Sequence, residues 1–290
     1  MSKPQADMDL SIALVRDLLR AQHADISQLP IIEAASGWDN AIFRLGEEMA
    51  VRLPRRAVAA KLLENEHRWL PLLQGRLTLP IPAPIRFGNP QAPYPWRWSV
   101  TPWIRGDTAD RSPPARDQAI VLAGFLDALH TQPPADAPHN AYRGVPLAQR
   151  RATFGKCITS LAERGHTIDD RLLKLWSDAV ERPIDVSATW IHGDLHAHNV
   201  IVSQGRIAGV IDWGDMARGD RATDLAAVWM LFPDADAREE IITACKTVSS
   251  DTWQRARGWA LLLSVVVLAA RDPMHVRLAE RTLQSLLEGP

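Results

Sequence analysis

The sequence predicts an α+β protein whose N-terminal third forms an antiparallel sheet and whose remainder is mainly helical. Short apolar runs separated by turn residues fill residues 30–53, which is the pattern of antiparallel strands. From residue 117 onward, apolar residues recur with helical spacing in successive segments. Between those helices, apolar runs at 200–202 and 207–211 surround a Gly-containing turn, and this predicts a β-hairpin.

The N-terminal elements add up to a five-stranded antiparallel sheet. A helical apolar stripe comes first, a strand meander follows, and a helix separates the third strand from the last two. A stiff Pro-rich segment, 79–84, leads into the fourth strand. In chain order the predicted ranges are helix 9–21, strands 29–35, 41–45 and 49–53, helix 58–73, and strands 86–89 and 96–101.

The C-terminal part is predicted to be helical except around the hairpin. Residues 133–146 and 215–223 are predicted loops, and Thr223 or Asp224 is a plausible helix cap. The apolar run 259–270 is too short to span a bilayer and is bounded by Arg257 and Arg271, so we expect a buried helix. The predicted helical ranges are 117–130, part of 161–179, 224–231, 236–248, 252–270 and 273–288.

Composition excludes several functional classes. Of the 290 residues, 46% are hydrophobic and 23% are charged, which is ordinary for a globular protein with a large core. The net charge of -1 offers no basic field for nucleic acid. Two cysteines cannot form a disulfide framework, and residues 1–10 lack the apolar stretch of a secretory signal. We therefore expect a cytoplasmic protein with neither membrane nor nucleic-acid partners, while the oligomeric state stays open.

The hairpin concentrates polar residues that suit chemistry. Asn199 stands at its entry and Asp212 at its exit, so the two side chains should face the same place. Asp194 lies on the loop just before it. Two hard oxygen ligands with a carboxylate nearby suit a divalent cation and a general base.

The spacing of these residues is more specific than their composition. The order His192-x-Asp194-Leu195-x-x-x-Asn199, followed by Asp212-x-Gly214, is that of the kinase catalytic loop and its metal-binding Asp. With Gly193 where protein kinases carry Arg, the HGDLHxxN and IDWGD segments resemble the aminoglycoside and macrolide phosphotransferase family. The resemblance implies a bilobal protein-kinase-like α+β fold. Its nucleotide-binding N-lobe would cover 1–104, and its helical C-lobe, with the hairpin and acceptor pocket, 105–290.

The resemblance also implies roles for individual residues. Asp194 would be the catalytic base, and Asn199 and Asp212 would hold Mg²⁺. The donor would be ATP or GTP, and the acceptor a small hydroxylated molecule. The phosphates of the nucleotide would lie under the first hairpin loop, at Ser36, Gly37 and Asn40. The adenine or guanine would lie at a hinge formed by Thr101, Trp103 and Ile104, where Trp103 or Ile104 offers an N–H.

One expected cation is replaced. The third strand carries Arg52 where kinases use Lys, and a guanidinium forks onto phosphate or carboxylate with a different geometry. We expect Glu66, on the following helix, to pair with Arg52. The alternative is that Glu64 and Glu66 lie on solvated faces and Arg52 is an edge-strand charge.

Acceptor residues are less clearly marked. Asp215 could face the acceptor, and Asp220 and Asp224 resemble family residues that support the catalytic loop. His196 and His198 are expected to be structural, although a metal pair is conceivable. An acidic cluster (Asp234, Asp236, Glu239 and Glu240) could attract a cationic aminoglycoside or be a solvated helix start, and Trp229, Trp253 and Trp259 could wall a macrolide pocket or fill the core.

The implied activity is nucleotide-dependent O-phosphorylation of an antibiotic of the aminoglycoside or macrolide type. Two other hypotheses stay open. One is a kinase for a metabolic alcohol, such as an amino alcohol or a sugar. The other is a non-catalytic nucleotide-binding pseudokinase, which the intact set of Asp194, Asn199 and Asp212 disfavours.

Overall fold

The chain folds into two compact units. The computed structural model describes residues 4–271 and 275–289. Within these ranges, it describes the backbone but not the side chains of Ala35 and Ser36. Of the described residues, the N-terminal unit contains 4–76 and 80–105. The C-terminal unit contains residues 77–79 and 106–290.

The N-terminal unit is a five-stranded antiparallel sheet with two helices. Across the sheet the strands lie in the order first, second, third, fifth and fourth along the chain, and every neighbouring pair is antiparallel. The predicted sheet is therefore confirmed. The elements are α1 (Ile12–Gln22), β1 (Ile31–Ser36), β2 (Asn40–Leu45), β3 (Met49–Pro54), α2 (Ala57–Gln74), β4 (Arg86–Gly88) and β5 (Trp98–Pro102).

The two faces of this sheet have different chemistry because side chains alternate along each strand. Val51, Leu53 and Val100 bury their side chains in one apolar cluster with Leu18 and Leu19 of α1. On β3 and β5, the residues that alternate with them are Arg52, Ser99 and Thr101, all of them buried. A polar set is thereby positioned on one side of the sheet.

The C-terminal unit contains two small sheets. The strands Val200–Ser203 and Arg206–Val210 form the predicted hairpin, and the short strand Asp107–Thr108 pairs with the first of them on its other side. Gln204 and Gly205 at the turn have φ angles of 51° and 75°, as a two-residue type I′ turn requires. The strands are β6 (Asp107–Thr108), β7 (Thr189–Ile191), β8 (Val200–Ser203), β9 (Arg206–Val210) and β10 (Ala217–Gly219), and β7 pairs with β10.

Helices make up the rest of this unit. They are α3 (Gln118–Leu129), α4 (Arg151–Ala162), α5 (Asp170–Val180), α6 (Ala222–Leu225), α7 (Ala227–Leu231), α8 (Ala235–Ala244), α9 (Ser250–Ala270) and α10 (Val276–Leu287), with a 3-10 turn at Leu147–Arg150. Helix α9 packs against α4, α5, α6 and α10. Its apolar run is mostly buried over residues 259–265, as expected, and half-buried over residues 266–270. No helix within the described residues is long and apolar enough to cross a membrane.

Several details of the prediction were wrong, and the short strands β6 and β7 were not predicted. Helix α4 was missed over 151–160 because its apolar face is sparse, with only Phe154 and Leu161 buried. The predicted loop 215–223 contains β10, a three-residue strand too short to show a period. Thr223 and Asp224 lie inside α6 and do not cap it.

Two further expectations concern the helices around α9. Trp229, Trp253 and Trp259 are 2%, 8% and 0% exposed, so they fill the core. The predicted start of the last helix, at residues 273–274, lies outside the described residues, and α10 begins at Val276.

Candidate active site

The catalytic loop, residues 192–199, connects β7 to β8 and carries Asp194. Its second residue, Gly193, has a φ angle of +86°, which L residues with side chains rarely adopt. A Cβ atom there would lie 2.5 Å from the backbone oxygen of Asp215. Glycine at this position is therefore a requirement of the backbone path.

A buried carboxylate holds the start of this loop. Asp224, which is fully buried on α6, accepts hydrogen bonds from the backbone N–H of His192 at 2.7 Å and of Gly193 at 2.9 Å. The Nε2 atom of His130 lies 3.3 Å from the same carboxylate. Asp224 thus takes the supporting position that the resemblance implied for it, while the cap role expected for it is absent.

His192 connects the catalytic loop to the end of the hairpin. The backbone N–H of Asp194 donates to Nδ1 of His192 at 3.2 Å, so the ring proton is assigned to Nε2, which donates to the carbonyl of Ile211 at 2.9 Å. The ring is buried and packs 4.7 Å from the ring of Trp213. The positions of Asp194 and Asp212 are therefore coupled through one imidazole.

The hairpin brings Asn199 and Asp212 to the same end. The N–H of Ile211 donates to the carbonyl of Asn199 at 2.9 Å, directly beyond the Val200–Val210 pair. The Asn199 amide donates from Nδ2 to the Asp194 carbonyl at 2.8 Å, so its Oδ1 is left as an acceptor.

Asp212 adopts a φ angle of 61°, an uncommon conformation for a residue with a side chain. No donor from residues 4–271 or 275–289 contacts its carboxylate. Two hard oxygen donors, one amide and one carboxylate, fit Mg²⁺, which usually takes only one or two protein ligands and completes its shell with phosphate and water. No group of three His, Cys, Asp or Glu suited to a metal occurs in the described part of the chain.

Both oxygens of the Asp194 carboxylate have partners. Arg143 donates from Nη2 to Oδ1 at 2.7 Å, and Nε2 of His196 lies 3.2 Å from Oδ2. Burial by itself would raise the pKa of Asp194, but the His196 ring and the Arg143 guanidinium outweigh it and hold the pKa well below its usual range. Asp194 is therefore an ionised, oriented carboxylate.

Asp215 belongs to the surroundings of Asp194. Its Oδ1 accepts a hydrogen bond from Nδ2 of Asn140 at 2.8 Å, and its Oδ2 lies 3.9 Å from Nε of Arg143. Asn140 in turn accepts from the N–H of Tyr142 at 2.8 Å, which shapes the segment carrying Arg143. The contact of Asp215 with an acceptor stays a prediction.

The N-terminal unit contains the expected Arg–Glu pair. Arg52 and Glu66 form a two-pronged ion pair, with Nη2 of Arg52 2.9 Å from Oε1 of Glu66 and Nη1 bonded to Oε2. Arg52 is 6% exposed and Glu66 fully buried, whereas Glu64 is exposed. The alternative of two solvated charges is thereby excluded, and the role of the pair toward a nucleotide remains a prediction.

The loop between β1 and β2 is a tight turn. The N–H of Gly37 donates to the carbonyl of Asn40 at 2.8 Å, and Arg55 donates from Nη1 to the Gly37 carbonyl at 3.1 Å. Oδ1 of Asn40 is buried, and no donor among the described residues contacts it. The Ser36 side chain lies outside the part of the chain that the structure describes.

The predicted hinge follows β5. The N–H of Trp103 donates to the carbonyl of Glu48 at 2.7 Å, so of the two expected hinge donors only the Ile104 N–H has no such partner. The Thr101 hydroxyl is buried, and within residues 4–271 and 275–289 nothing bonds to it. Sequence reasoning missed Arg143 and the contact of His196 with Asp194, because Arg143 lies 51 residues before Asp194 in a segment with no motif.

Comparisons with known proteins agree with this arrangement. The model of the phosphotransferase enzyme family (APH) matches residues 30–259. An aminoglycoside 3'-phosphotransferase of Escherichia coli is 29% identical over 142 residues, or 46% of this chain and 51% of that protein, so the match spans about half of this relative. A thiamine kinase of Escherichia coli (strain SMS-3-5 / SECEC) is 27% identical over 200 residues, covering 66% of this chain and 68% of the enzyme.

Solved structures share the fold over nearly the whole chain. The GDP and kanamycin complex of APH(2")-IIia superimposes with a TM-score of 0.69 at 18% identity, covering 95% of this chain and 98% of that one. Macrolide 2'-phosphotransferase type I gives a TM-score of 0.61 at 21% identity, covering 98% and 99%. The kinase-like fold predicted from the motifs is confirmed, and with its catalytic loop, hairpin and family match this chain belongs to the phosphotransferase enzyme family.

Proposed function

We propose that this protein moves the γ-phosphoryl group of ATP or GTP to a hydroxyl group of a small molecule. The observation that carries the proposal is the ionised Asp194 carboxylate on a loop tied directly to Asn199 and Asp212. A phosphotransferase needs little covalent chemistry from the protein, so positioning and charge placement account for most of the rate.

The chain's own residues would orient the acceptor and take its proton. In an in-line displacement, the acceptor oxygen forms a bond to the γ-phosphorus while the bond from that phosphorus to the β,γ-bridging oxygen breaks. The hydroxyl proton passes to the Asp194 carboxylate, and the nucleoside diphosphate leaves with the bridging electron pair. Arg143 and His196 would keep the carboxylate ionised and correctly turned.

Asn199 and Asp212 would hold Mg²⁺ through Oδ1 and the carboxylate. When bound, the cation neutralises charge between the β- and γ-phosphate oxygens. In the N-terminal unit, Arg52 would contact the phosphates of the nucleotide, and Glu66 would fix the position of Arg52. The loop with Ser36, Gly37 and Asn40 would cover the phosphates. The hinge at Thr101, Trp103 and Ile104 would bind the purine of the nucleotide through the Ile104 N–H. We expect this reaction to take place in the cytoplasm, where nucleoside triphosphates are supplied.

Two acceptor classes have support. The aminoglycoside and macrolide phosphotransferases among the similar proteins favour an antibiotic and a role in resistance. The thiamine kinase match extends over 68% of that enzyme and favours a metabolic alcohol as the second candidate.

The test is a comparison of Asp194→Ala with the wild-type protein. We expect phosphoryl transfer to fall by about 10³-fold or more while nucleotide affinity stays within about twofold, because the base touches the acceptor and not the nucleotide. Acceptor screening should include aminoglycosides, macrolides, thiamine and simple alcohols, with nucleotide consumption as the readout. Robust transfer by Asp194→Ala would remove Asp194 as the base, and nucleotide binding without transfer to any acceptor would favour the pseudokinase hypothesis.

A further inference from the structure

A cavity of about 210 Å³ opens directly beside Asp194 within the C-terminal unit. Three helices provide most of its wall, α7, α9 and α10. The apolar residues lining it are Met230, Leu263, Val266, Val267, Leu278 and Ala279. We call this cavity the acceptor pocket, and its place next to the base ties the inference below to the proposed phosphotransfer.

The two hydroxyl groups in the wall of the acceptor pocket are already used. The Ser264 hydroxyl donates to the carbonyl of Ala260 at 2.8 Å, and the Thr282 hydroxyl donates to the carbonyl of Leu278 at 2.8 Å. Each bond lies within its own helix. Because these donors are committed, the helical wall of the pocket can recognise a ligand mainly by apolar contact.

The acceptor pocket has one carboxylate and one guanidinium in its described lining, and the two are paired with each other. Asp194 is the only carboxylate among the described residues that line it, and Arg143, 2.7 Å from Oδ1 of Asp194, is the only guanidinium. His196 and His275 also line it. An incoming ammonium group would find no unneutralised carboxylate, would approach a guanidinium, and would lose its hydration against apolar walls.

The acidic cluster that could have attracted a cationic acceptor makes other contacts within the protein. Arg116 pairs with Asp236 at 3.2 Å and with Glu240 at 2.8 Å, and the Asp234 side chain accepts from the N–H of Ala237 at the start of α8. None of these residues is among those lining the acceptor pocket. Of the two interpretations in the sequence analysis, the helix start is the one that the contacts favour.

We infer that the acceptor pocket selects an acceptor whose hydroxyl group is attached to an apolar, uncharged body, and that it discriminates against polycationic acceptors. The hydroxyl would point at Asp194 and the body would lie among Leu263, Val267 and Leu278. This rests on the proposed function for its chemistry and narrows the acceptor class within it.

Direct binding to the wild-type protein tests the inference without turnover. The probes are a homologous series of straight-chain primary alcohols and a matched series of ω-amino alcohols, titrated by ligand-observed NMR or calorimetry. We expect affinity to rise about fourfold per added methylene, equivalent to about 0.8 kcal/mol, until the cavity is filled. An amino alcohol of equal length should bind at least about tenfold more weakly because its ammonium must be desolvated.

A charge placed in the wall should reverse this preference. Leu263→Glu is expected to weaken the alcohols by about tenfold or more and to improve the amino alcohols. The matched control is Ile120→Glu, which puts the same charge on a residue that is 54% exposed on α3 and does not line the pocket, and should leave both series unchanged. If Leu263→Glu fails to fold, Val267→Thr, which adds one polar atom at nearly constant volume, should still weaken the alcohols measurably.

Each outcome has a distinct meaning. Equal or tighter binding of the amino alcohols to the wild-type protein overturns the inference, as does alcohol binding that Leu263→Glu and Val267→Thr leave unchanged. Transfer to polycationic aminoglycosides with high efficiency also overturns it while leaving the proposed phosphotransfer intact. Alcohol binding with the expected chain-length dependence but no transfer to any acceptor supports the pocket and contradicts the proposed function.

Discussion

At the scale of single residues, the contacts that orient the Asp194 carboxylate are separate from the proton transfer that we propose for it. Arg143 and His196 contact opposite oxygens of the carboxylate. Each carboxylate oxygen has two lone pairs, so an acceptor hydroxyl can approach while both contacts remain. A low pKa makes Asp194 a weak base in the ground state, which suits a reaction in which the hydroxyl proton leaves late and the phosphoryl group carries most of the charge.

Replacing Arg143 should change the pH dependence of activity. The pKa of Asp194 is held low, so the wild-type carboxylate is ionised through about pH 5 to 9 and no acid limb from it is expected there. Arg143→Met removes a positive charge, raises the pKa of Asp194, and should move the loss of kcat/KM on the acid side to higher pH.

The matched control for this prediction is Arg143→Lys, which keeps the charge while losing the planar fork, and its acid limb should stay near that of the wild type. The measurement is kcat/KM against pH for all three proteins. A uniform decrease at every pH in Arg143→Met, without a moved limb, would contradict the electrostatic role.

At the scale of elements, the short helix α6 and the β8–β9 hairpin together fix the path of the catalytic loop. Asp224 fixes the backbone of His192 and Gly193 from α6, and the His192 ring joins the loop to the end of β9. Gly193 permits the close approach to Asp215. The loop has little freedom to reorient Asp194, and this is the preorganisation that positioning catalysis requires.

Removal of the Asp224 carboxylate should therefore affect both stability and rate. Asp224→Ala leaves two buried backbone N–H groups without acceptors, and we expect the free energy of unfolding to fall by about 3 kcal/mol or more. The released loop should lower kcat by about 10²-fold. Chemical denaturation and steady-state kinetics provide the two measurements.

Asp236→Ala is the matched control, since Asp236 is an exposed aspartate in a surface pair with Arg116. We expect it to change stability by less than about 1 kcal/mol and activity not at all. A similar small effect for Asp224→Ala would show that the catalytic loop is held by other contacts.

At the scale of the whole molecule, the two units hold complementary chemistry. In the proposed reaction, the N-terminal unit would provide the buried Arg52–Glu66 pair and the predicted hinge, and the C-terminal unit would provide the base, the two oxygen ligands and the acceptor pocket. We therefore expect activity to require the intact chain.

Ligand-induced stabilisation of the intact protein tests the metal ligands. Mg²⁺ with nucleotide at about 100 times its Kd should stabilise the fold by about 2.7 kcal/mol, which corresponds to a rise in Tm of about 5 °C. Chelation of Mg²⁺ should remove most of that rise. In Asp212→Asn, the metal-dependent part should be lost while the protein without ligand keeps its wild-type Tm, and an unchanged metal-dependent rise would exclude Asp212 as a ligand.

The sequence was most informative where structure is local. The alternating strands of the N-terminal sheet and the long amphipathic or apolar helices have clear periods, and they were predicted within a few residues of their observed bounds. Elements without such a period were missed, as for β7, β10 and α4. Three-residue strands form because a partner from elsewhere in the chain is available.

What the sequence by itself determined is the loop and hairpin motif on which the proposed reaction class rests, because Asp194, Asn199 and Asp212 lie within one loop and one hairpin whose geometry follows from turn residues and strand register. The tertiary structure decided the surroundings of Asp194 and the character of the acceptor pocket. Arg143 comes from a segment 51 residues upstream, Asp224 from a helix 31 residues downstream of Gly193, and the pocket walls from three separate helices. Such contacts depend on how distant elements pack, and no local pattern records that packing.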